Sequence, residues 1–254
     1  MRYVRFETRA GEKKYGVLSD DKIKVIQGSI FEDHSITEEA YPLYTVKLLA
    51  PVEPTKILCI GLNYVDHAKE FGKPVPDEPL LFLKPSTSVI GPEEKIIYPP
   101  QTQNLHYEVE LAIVIGRTAK NIKRAEALEY VFGYTVGNDI TARDLQSTDS
   151  QWSRAKGFDT FCPLGPWIET EINNQDNLDI KLYLNGEVKQ NSNTNNLAFK
   201  CADLIEYLSA IMTLLPGDVI LTGTPGGIGS MQPGDKVEAY VEKIGTLTNT
   251  IALP

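Results

Sequence analysis

The chain is read as an α+β protein, and three observations predict that class. Short alternating or β-branched runs outnumber helical stretches. The helical stretches are few and brief. Strands and helices do not alternate at a βαβ period, which argues against a doubly wound sheet.

The elements follow in order. Residues 1–50 form a small N-terminal β domain in which Tyr3-Val4-Arg5-Phe6, Lys14-Tyr15-Gly16-Val17-Leu18 and Lys22-Ile23-Lys24-Val25-Ile26 are strands separated by polar turns. That piece is too small for a strong core of its own and is expected to pack on the rest of the chain or on a partner subunit. Pro51-Val52-Glu53-Pro54 is a linker. The main domain, 51–254, opens with the buried-strand pattern Lys56-Ile57-Leu58-Cys59-Ile60-Gly61. Residues 64–71 predict a short helix stopped by Gly72 and Pro74, and Leu80-Leu81-Phe82-Leu83 predicts a strand. Residues 122–131 have apolar i,i+3 and i,i+4 spacing and predict a helix, as do residues 201–214. Tyr134-Thr135-Val136-Gly137, Asp218-Val219-Ile220-Leu221-Thr222 and Lys236-Val237-Glu238-Ala239-Tyr240-Val241 predict strands.

Composition excludes several classes. At 254 residues, about 70–75% of the unfolded surface can be buried, so no disulfide framework is needed. Cys59, Cys162 and Cys201 are widely spaced and form no Cys-x-x-Cys pair, which argues against a zinc knuckle or a redox couple. A reducing cytoplasm is the expected compartment. No apolar run approaches the ~20 residues of a membrane span, and the start carries charges that a secretory signal would not. With a formal net charge of -9 and no basic stripe, neither nucleic acid nor a membrane is an expected partner.

The most informative stretch is His106-Tyr107-Glu108-Val109-Glu110 running into Leu111-Ala112-Ile113-Val114-Ile115. In a strand, residues i and i+2 share a face, so Glu108 and Glu110 stand side by side. Beyond Glu110 both faces are apolar. Two carboxylates at the mouth of a buried strand repel and lose hydration, so a positive partner is expected, and a hard divalent cation is the simplest one. A Glu-x-Glu pair also fits the solvated face of an amphipathic strand. Asp139, following the strand 134–137, is the best third carboxylate; it could equally cap the next helix. Three carboxylates with no convergent His or Cys select Mg²⁺, Mn²⁺ or Ca²⁺ over zinc.

Other residues could serve such an ion. Arg143 and Gln146 share a helical face and could grip a substrate carboxylate; Arg143 could also make an ordinary surface ion pair. Lys156 lies in a loop between Trp152 and Phe158, where a solvated lysine is the plain alternative. His67 and Glu70, spaced i,i+3, could form a base and its orienting carboxylate, or an ordinary surface pair. Gly223-Thr224-Pro225-Gly226-Gly227-Ile228-Gly229 is neither a Walker loop nor a dinucleotide fingerprint. Its backbone N–H groups could hold a carboxylate or oxyanion, or the stretch could be a tight turn.

Taken in order, these stretches resemble the fumarylacetoacetate hydrolase family. The resemblance also includes Lys56 to Tyr64, Lys84-Pro85-Ser86-Thr87-Ser88 and Lys156-Gly157-Phe158-Asp159, and covers about residues 50–251. It implies a mixed β-sandwich roll with a small N-terminal β domain, a homodimer, and Mg²⁺ or Mn²⁺, with Ca²⁺ as a substitute. By position, Glu108, Glu110 and Asp139 resemble the metal ligands, and Lys156 the cation beside a bound 2-oxo acid. His67 and Glu70 resemble a dyad on a lid helix. Arg143, Gln146, Ser86 and Thr224 fall where relatives contact substrate. The implied activity is hydrolysis of a C–C bond in a 2,4-dioxo acid of acylpyruvate or fumarylpyruvate type. In that reaction the ion stabilises an enolate and His67 activates water. Decarboxylation of oxaloacetate and isomerisation of a hydroxymuconate-type dienol would use the same enolate chemistry. A noncatalytic metal-binding protein is the alternative of a different class.

Overall fold

The computed structural model describes residues 1–254 except 66–69, 71 and 73. The strand Val109–Ile115 organises it. All seven of its residues are buried. Val109, Leu111, Ile113 and Ile115 enter one apolar cluster and Ala112 and Val114 another, as a period of two requires. Val131–Asn138 pairs antiparallel along one edge of this strand, and Val219–Leu221 along the other.

These three strands lie in the middle of a large mixed sheet. On one side the sheet continues through Ile57–Gly61 to Leu80–Lys84. On the other it continues through Cys162–Glu169 into the N-terminal strands Arg2–Glu7, Lys13–Ser19, Lys22–Gln27 and Ser35–Pro42. A second sheet orders Glu187–Asn193, Asp179–Leu184, Lys236–Val241, Gly245–Ala252 and Lys95–Ile97. Its Ile180, Leu182, Val237, Ala239 and Val241 meet Leu111 and Ile113 in the main core, together with Leu204, Ile205 and Leu208 of the helix Cys201–Ile211. The architecture is therefore two packed mixed sheets with few helices, as the α+β reading predicts.

The N-terminal unit has a small apolar cluster of its own, built on Val4, Phe6, Leu18, Ile23 and Val25. It joins the main sheet through Arg2↔Glu169 and Tyr3↔Ile168 pairing. Ile26, Ile30, Ala50 and Val52 share a second cluster with Cys59, Ala112 and Leu221. The unit thus packs on the rest of its own chain.

Two expected elements differ. The helix expected over 122–131 reduces to one 3₁₀ turn, Ala127–Tyr130. Its hydrogen bonds close i−3 turns: Glu126 N–H donates to the Lys123 carbonyl, Ala127 N–H to Arg124 and Glu129 N–H to Glu126. The apolar spacing still buries Ile122 and Ala127 against the core without a helical ladder. Lys156 ends a short helical segment, Ser153–Lys156, instead of lying in a loop. Of the helix expected at 64–71, Val65 and Glu70 are helical, Tyr64 instead forms an antiparallel bridge with Leu197, and residues 66–69 and 71 lie outside the described residues.

Candidate active site

Glu108 falls at a break. Leu105–Tyr107 belongs to a small sheet with Thr141–Ala142 and Gly229–Met231, and the large-sheet strand starts only at Val109. Glu108 and Glu110 are therefore not successive residues of one continuous strand; Glu108 sits where the chain changes sheets. Its backbone is pinned there: Glu108 N–H donates to Asn138 Oδ1 at 2.9 Å, and Asp139 N–H donates to the Glu108 carbonyl at 2.9 Å. The Val109↔Asn138 register thus brings Asp139 opposite Glu108. Glu110 is held by Gly223, whose N–H donates to Glu110 Oε2 at 2.6 Å. Gly223 follows Val219–Leu221 with φ +104°, and an added Cβ would sit 2.8 Å from Asn63 Cβ, so glycine is required.

One oxygen from each of Glu108, Glu110 and Asp139 lies within 4.8 Å of the others, and the three residues are 4%, 2% and 0% exposed. Asp139 does not cap the next helix; the helix Arg143–Thr148 has Ala142 at its N-cap and no side-chain cap. Among the described residues, three cations face the group. Lys156 Nζ donates to Glu108 Oε2 at 2.9 Å and to Asp139 Oδ2. Lys84 Nζ donates to Asp139 Oδ1 and, at 3.0 Å, to the Ile140 carbonyl. An Arg143 Nη2–H donates to Glu108 Oε1. Burial, then the charges of Asp139 and Glu108, hold the Glu110 carboxyl well above the usual carboxylate range. Burial pulls the Lys156 ammonium down, but Asp139 and Glu108 outweigh it, so its pKa lies above that of an ordinary lysine. An all-carboxylate donor set, dry and mutually repelling, fits a hard divalent ion.

The carboxylates open into a cleft of about 510 Å³. Arg143, Gln146, Asn104 and Thr224 give it a polar side, and Ile60, Leu62, Phe82 and Trp152 an apolar one. Arg143 Nη1 donates to Gln146 Oε1 at 2.5 Å, which fixes the pair on one helical face as its spacing predicts. The Phe82 ring meets Trp152 edge-on at 5.3 Å and lies 5.0 Å from the Lys156 ammonium. Thr224 is positioned by Gln190, whose Nε2 donates to Thr224 Oγ1 and to the Pro225 carbonyl while its Oε1 accepts from Val109 N–H.

Ser86 is placed elsewhere. It is exposed and borders a separate cavity with Arg5, Glu53 and Thr87, because the turn after Lys84 carries the chain away from the carboxylates. The glycine loop spends two of its N–H groups on the protein itself: Gly223 on Glu110, and Gly227 on the Glu70 carboxylate at 3.3 Å. Glu70 thus reaches the loop that carries Thr224. His67 lies outside the described residues.

Three residues near the site were given no role by the sequence reading. Lys84 had a signal: it ends an apolar strand and alternates with Phe82, so both share one face. Gln190 had none, since it reaches the site only through packing of the second sheet. His106, half-buried, is pushed down to about 4 by burial and by Arg143, which keeps its ring uncharged at neutral pH. The thiols carry no chemistry here: burial holds Cys162 at about 12 and Cys59 and Cys201 well above the usual range.

The fold and this site define a class. Residues 56–252 match the family model of the fumarylacetoacetate (FAA) hydrolase C-terminal domain, and the chain belongs to that enzyme family. Residues 1–51 match the Rv2993c-like N-terminal model. Protein Rv2993c of Mycobacterium tuberculosis is 48% identical over 98% of this chain and 94% of its own length. The human mitochondrial oxaloacetate tautomerase FAHD2B is 46% identical over 83% of this chain and 71% of its own. The crystal structure of 5-carboxymethyl-2-hydroxymuconate delta-isomerase from Mycobacterium smegmatis superposes over all of both chains with TM-score 0.94 and 44% identity.

Proposed function

We propose that the protein is a divalent-metal-dependent isomerase of small 2-oxo acids, interconverting an enol or dienol with its keto form. The observation that carries this reading is the convergence of Glu108, Glu110 and Asp139 with Lys156 at the floor of one cleft. Two of the similar proteins, named as an oxaloacetate tautomerase and a hydroxymuconate isomerase, support the reaction type.

When bound, Mg²⁺ or Mn²⁺ supplies Lewis-acid stabilisation of negative charge on a 2-oxo acid. Glu108, Glu110 and Asp139 would hold it. Arg143 and Gln146, already fixed to each other, bind and orient the substrate carboxylate. Lys156, whose ammonium lies against Glu108 and Asp139 on the cleft wall, donates a hydrogen bond to the enol oxygen as charge develops there. The apolar side, Phe82 and Trp152, excludes water from the reacting carbons. By the family resemblance, the proton on carbon is assigned to His67 with Glu70.

A second reading is hydrolysis of a 2,4-dioxo acid, with the same dyad activating water. Its support is the matching family model, that of the fumarylacetoacetate hydrolase C-terminal domain. Assays with Mg²⁺ or Mn²⁺ against enol-oxaloacetate, a hydroxymuconate and an acylpyruvate separate the two. Loss of enol absorbance well above the background rate, with no cleavage of the acylpyruvate, is expected. Acylpyruvate cleavage without enol turnover would establish the second reading. Glu108→Ala should reduce either activity by at least about 100-fold. Activity that survives both this substitution and chelation defeats the metal-centred account.

A further inference from the structure

Each carboxylate of the triad has one oxygen tied to a donor of its own. Glu108 Oε1 accepts from Arg143, Glu110 Oε2 from Gly223 N–H, and Asp139 Oδ1 from Lys84. The opposite oxygens of Glu108 and Asp139 are spanned by the Lys156 ammonium. The two lysines on Asp139 are not equivalent. Lys156 lines the cleft, so its ammonium has somewhere to go when another cation arrives. Lys84 is not among the residues lining the cleft. Its side chain is 0% exposed, and it is held by Asp139 Oδ1, by the Ile140 carbonyl and, at 5.9 Å, by the face of Phe161.

We propose that Lys84 is a positioning residue that restricts Asp139 to a single ligand oxygen and thereby sets which ions the site accepts. Lys156 is the exchangeable counter-ion, and Lys84 the permanent one. The proposal rests on reading the triad as a metal site. With Lys84 in place, three carboxylates offer one oxygen each. That suits a six-coordinate ion that keeps open positions, as Mg²⁺ and Mn²⁺ do. Ca²⁺ takes six to eight oxygens and gains most from two-oxygen carboxylate ligands. A buried ammonium on Oδ1 denies it that second oxygen at Asp139.

The test is calorimetric titration of the metal-free full chain with Mn²⁺ and with Ca²⁺, for the unsubstituted protein and for Lys84→Met. Removing a positive charge tightens both ions, so the quantity read is their affinity ratio. The Ca²⁺-to-Mn²⁺ ratio is expected to rise at least tenfold in Lys84→Met. An unchanged ratio overturns the proposal while leaving the metal site standing. Binding of neither ion to the unsubstituted protein overturns both. Should Lys84→Met not fold, nitrogen-15 NMR of the lysine ammonium groups in the unsubstituted protein decides. The Lys84 signal, identified by its proximity to the Phe161 ring, is expected to keep its slow proton exchange at saturating Mg²⁺, while that of Lys156 shifts. A Lys84 signal that exchanges rapidly on Mg²⁺ binding overturns the proposal.

Discussion

At the scale of single residues, the site depends on backbone groups as much as on side chains. Gly223 does two things: it adopts a left-handed conformation, and it donates to Glu110. Gly223→Ala should destabilise the protein by about 1–3 kcal/mol, since an added Cβ meets Asn63 in a strained backbone. It should also weaken Mn²⁺ binding about tenfold by turning the N–H away from the carboxylate. Thermal melts and a Mn²⁺ titration check both effects, and a variant unchanged in each would show that this contact positions nothing. The residue types of the triad were legible because Glu, Glu and Asp beside an apolar run are unusual. Lys84 was less so, since a lysine after four apolar residues also fits a strand ending at the surface.

At the scale of elements, pairing decides what spacing leaves open. The 122–131 stretch carries helical spacing, yet Glu126, Ala127 and Glu129 N–H donate to the i−3 carbonyls of Lys123, Arg124 and Glu126, so the chain closes single tight turns and builds no i−4 ladder. Glu108 looked like part of one long strand, but it stands where the chain passes between two sheets, and that break brings it to Asp139. The Arg2–Glu7 strand is attached by a charge contact as well as by its ladder. Burial raises the Glu169 carboxyl, but the N-terminal amine, the Glu171 N–H and Arg2 outweigh it, so its pKa lies below the usual value. A depressed carboxylate contributes stability above its unfolded value, 4.5, and that contribution is lost as pH falls through the folded value. Glu169→Gln should therefore cost about 1–2 kcal/mol at pH 7 and progressively less as pH drops below 4.5. Urea melts across that range test the sign; a difference that grows on acidification would contradict it.

At the scale of the whole molecule, the first fifty residues extend the main sheet. Their removal would expose the edge of Cys162–Glu169 and strip Ile26, Ile30 and Ala50 from a cluster shared with Ala112 and Leu221. A chain beginning at Val52 should aggregate or melt at least several degrees lower than the full chain by differential scanning calorimetry. A soluble, equally stable truncation would instead mark the unit as an appendage. Among the described residues, no helix is long and apolar enough to cross a membrane. Assembly as a homodimer is our proposal from the family likeness, and sedimentation of the full chain would test it.

The sequence by itself determined the class of fold, the buried central strand, the three carboxylates and the Arg143–Gln146 face. Each is a matter of local periodicity or residue chemistry, which a linear reading carries. Only the tertiary structure decided which cation meets which oxygen. Lys84, Lys156 and Gly223 reach the triad from three separate places in the chain, 55, 17 and 113 residues from the carboxylates they contact. Contacts of that separation follow from sheet order and register, which depend on the packing of every strand at once.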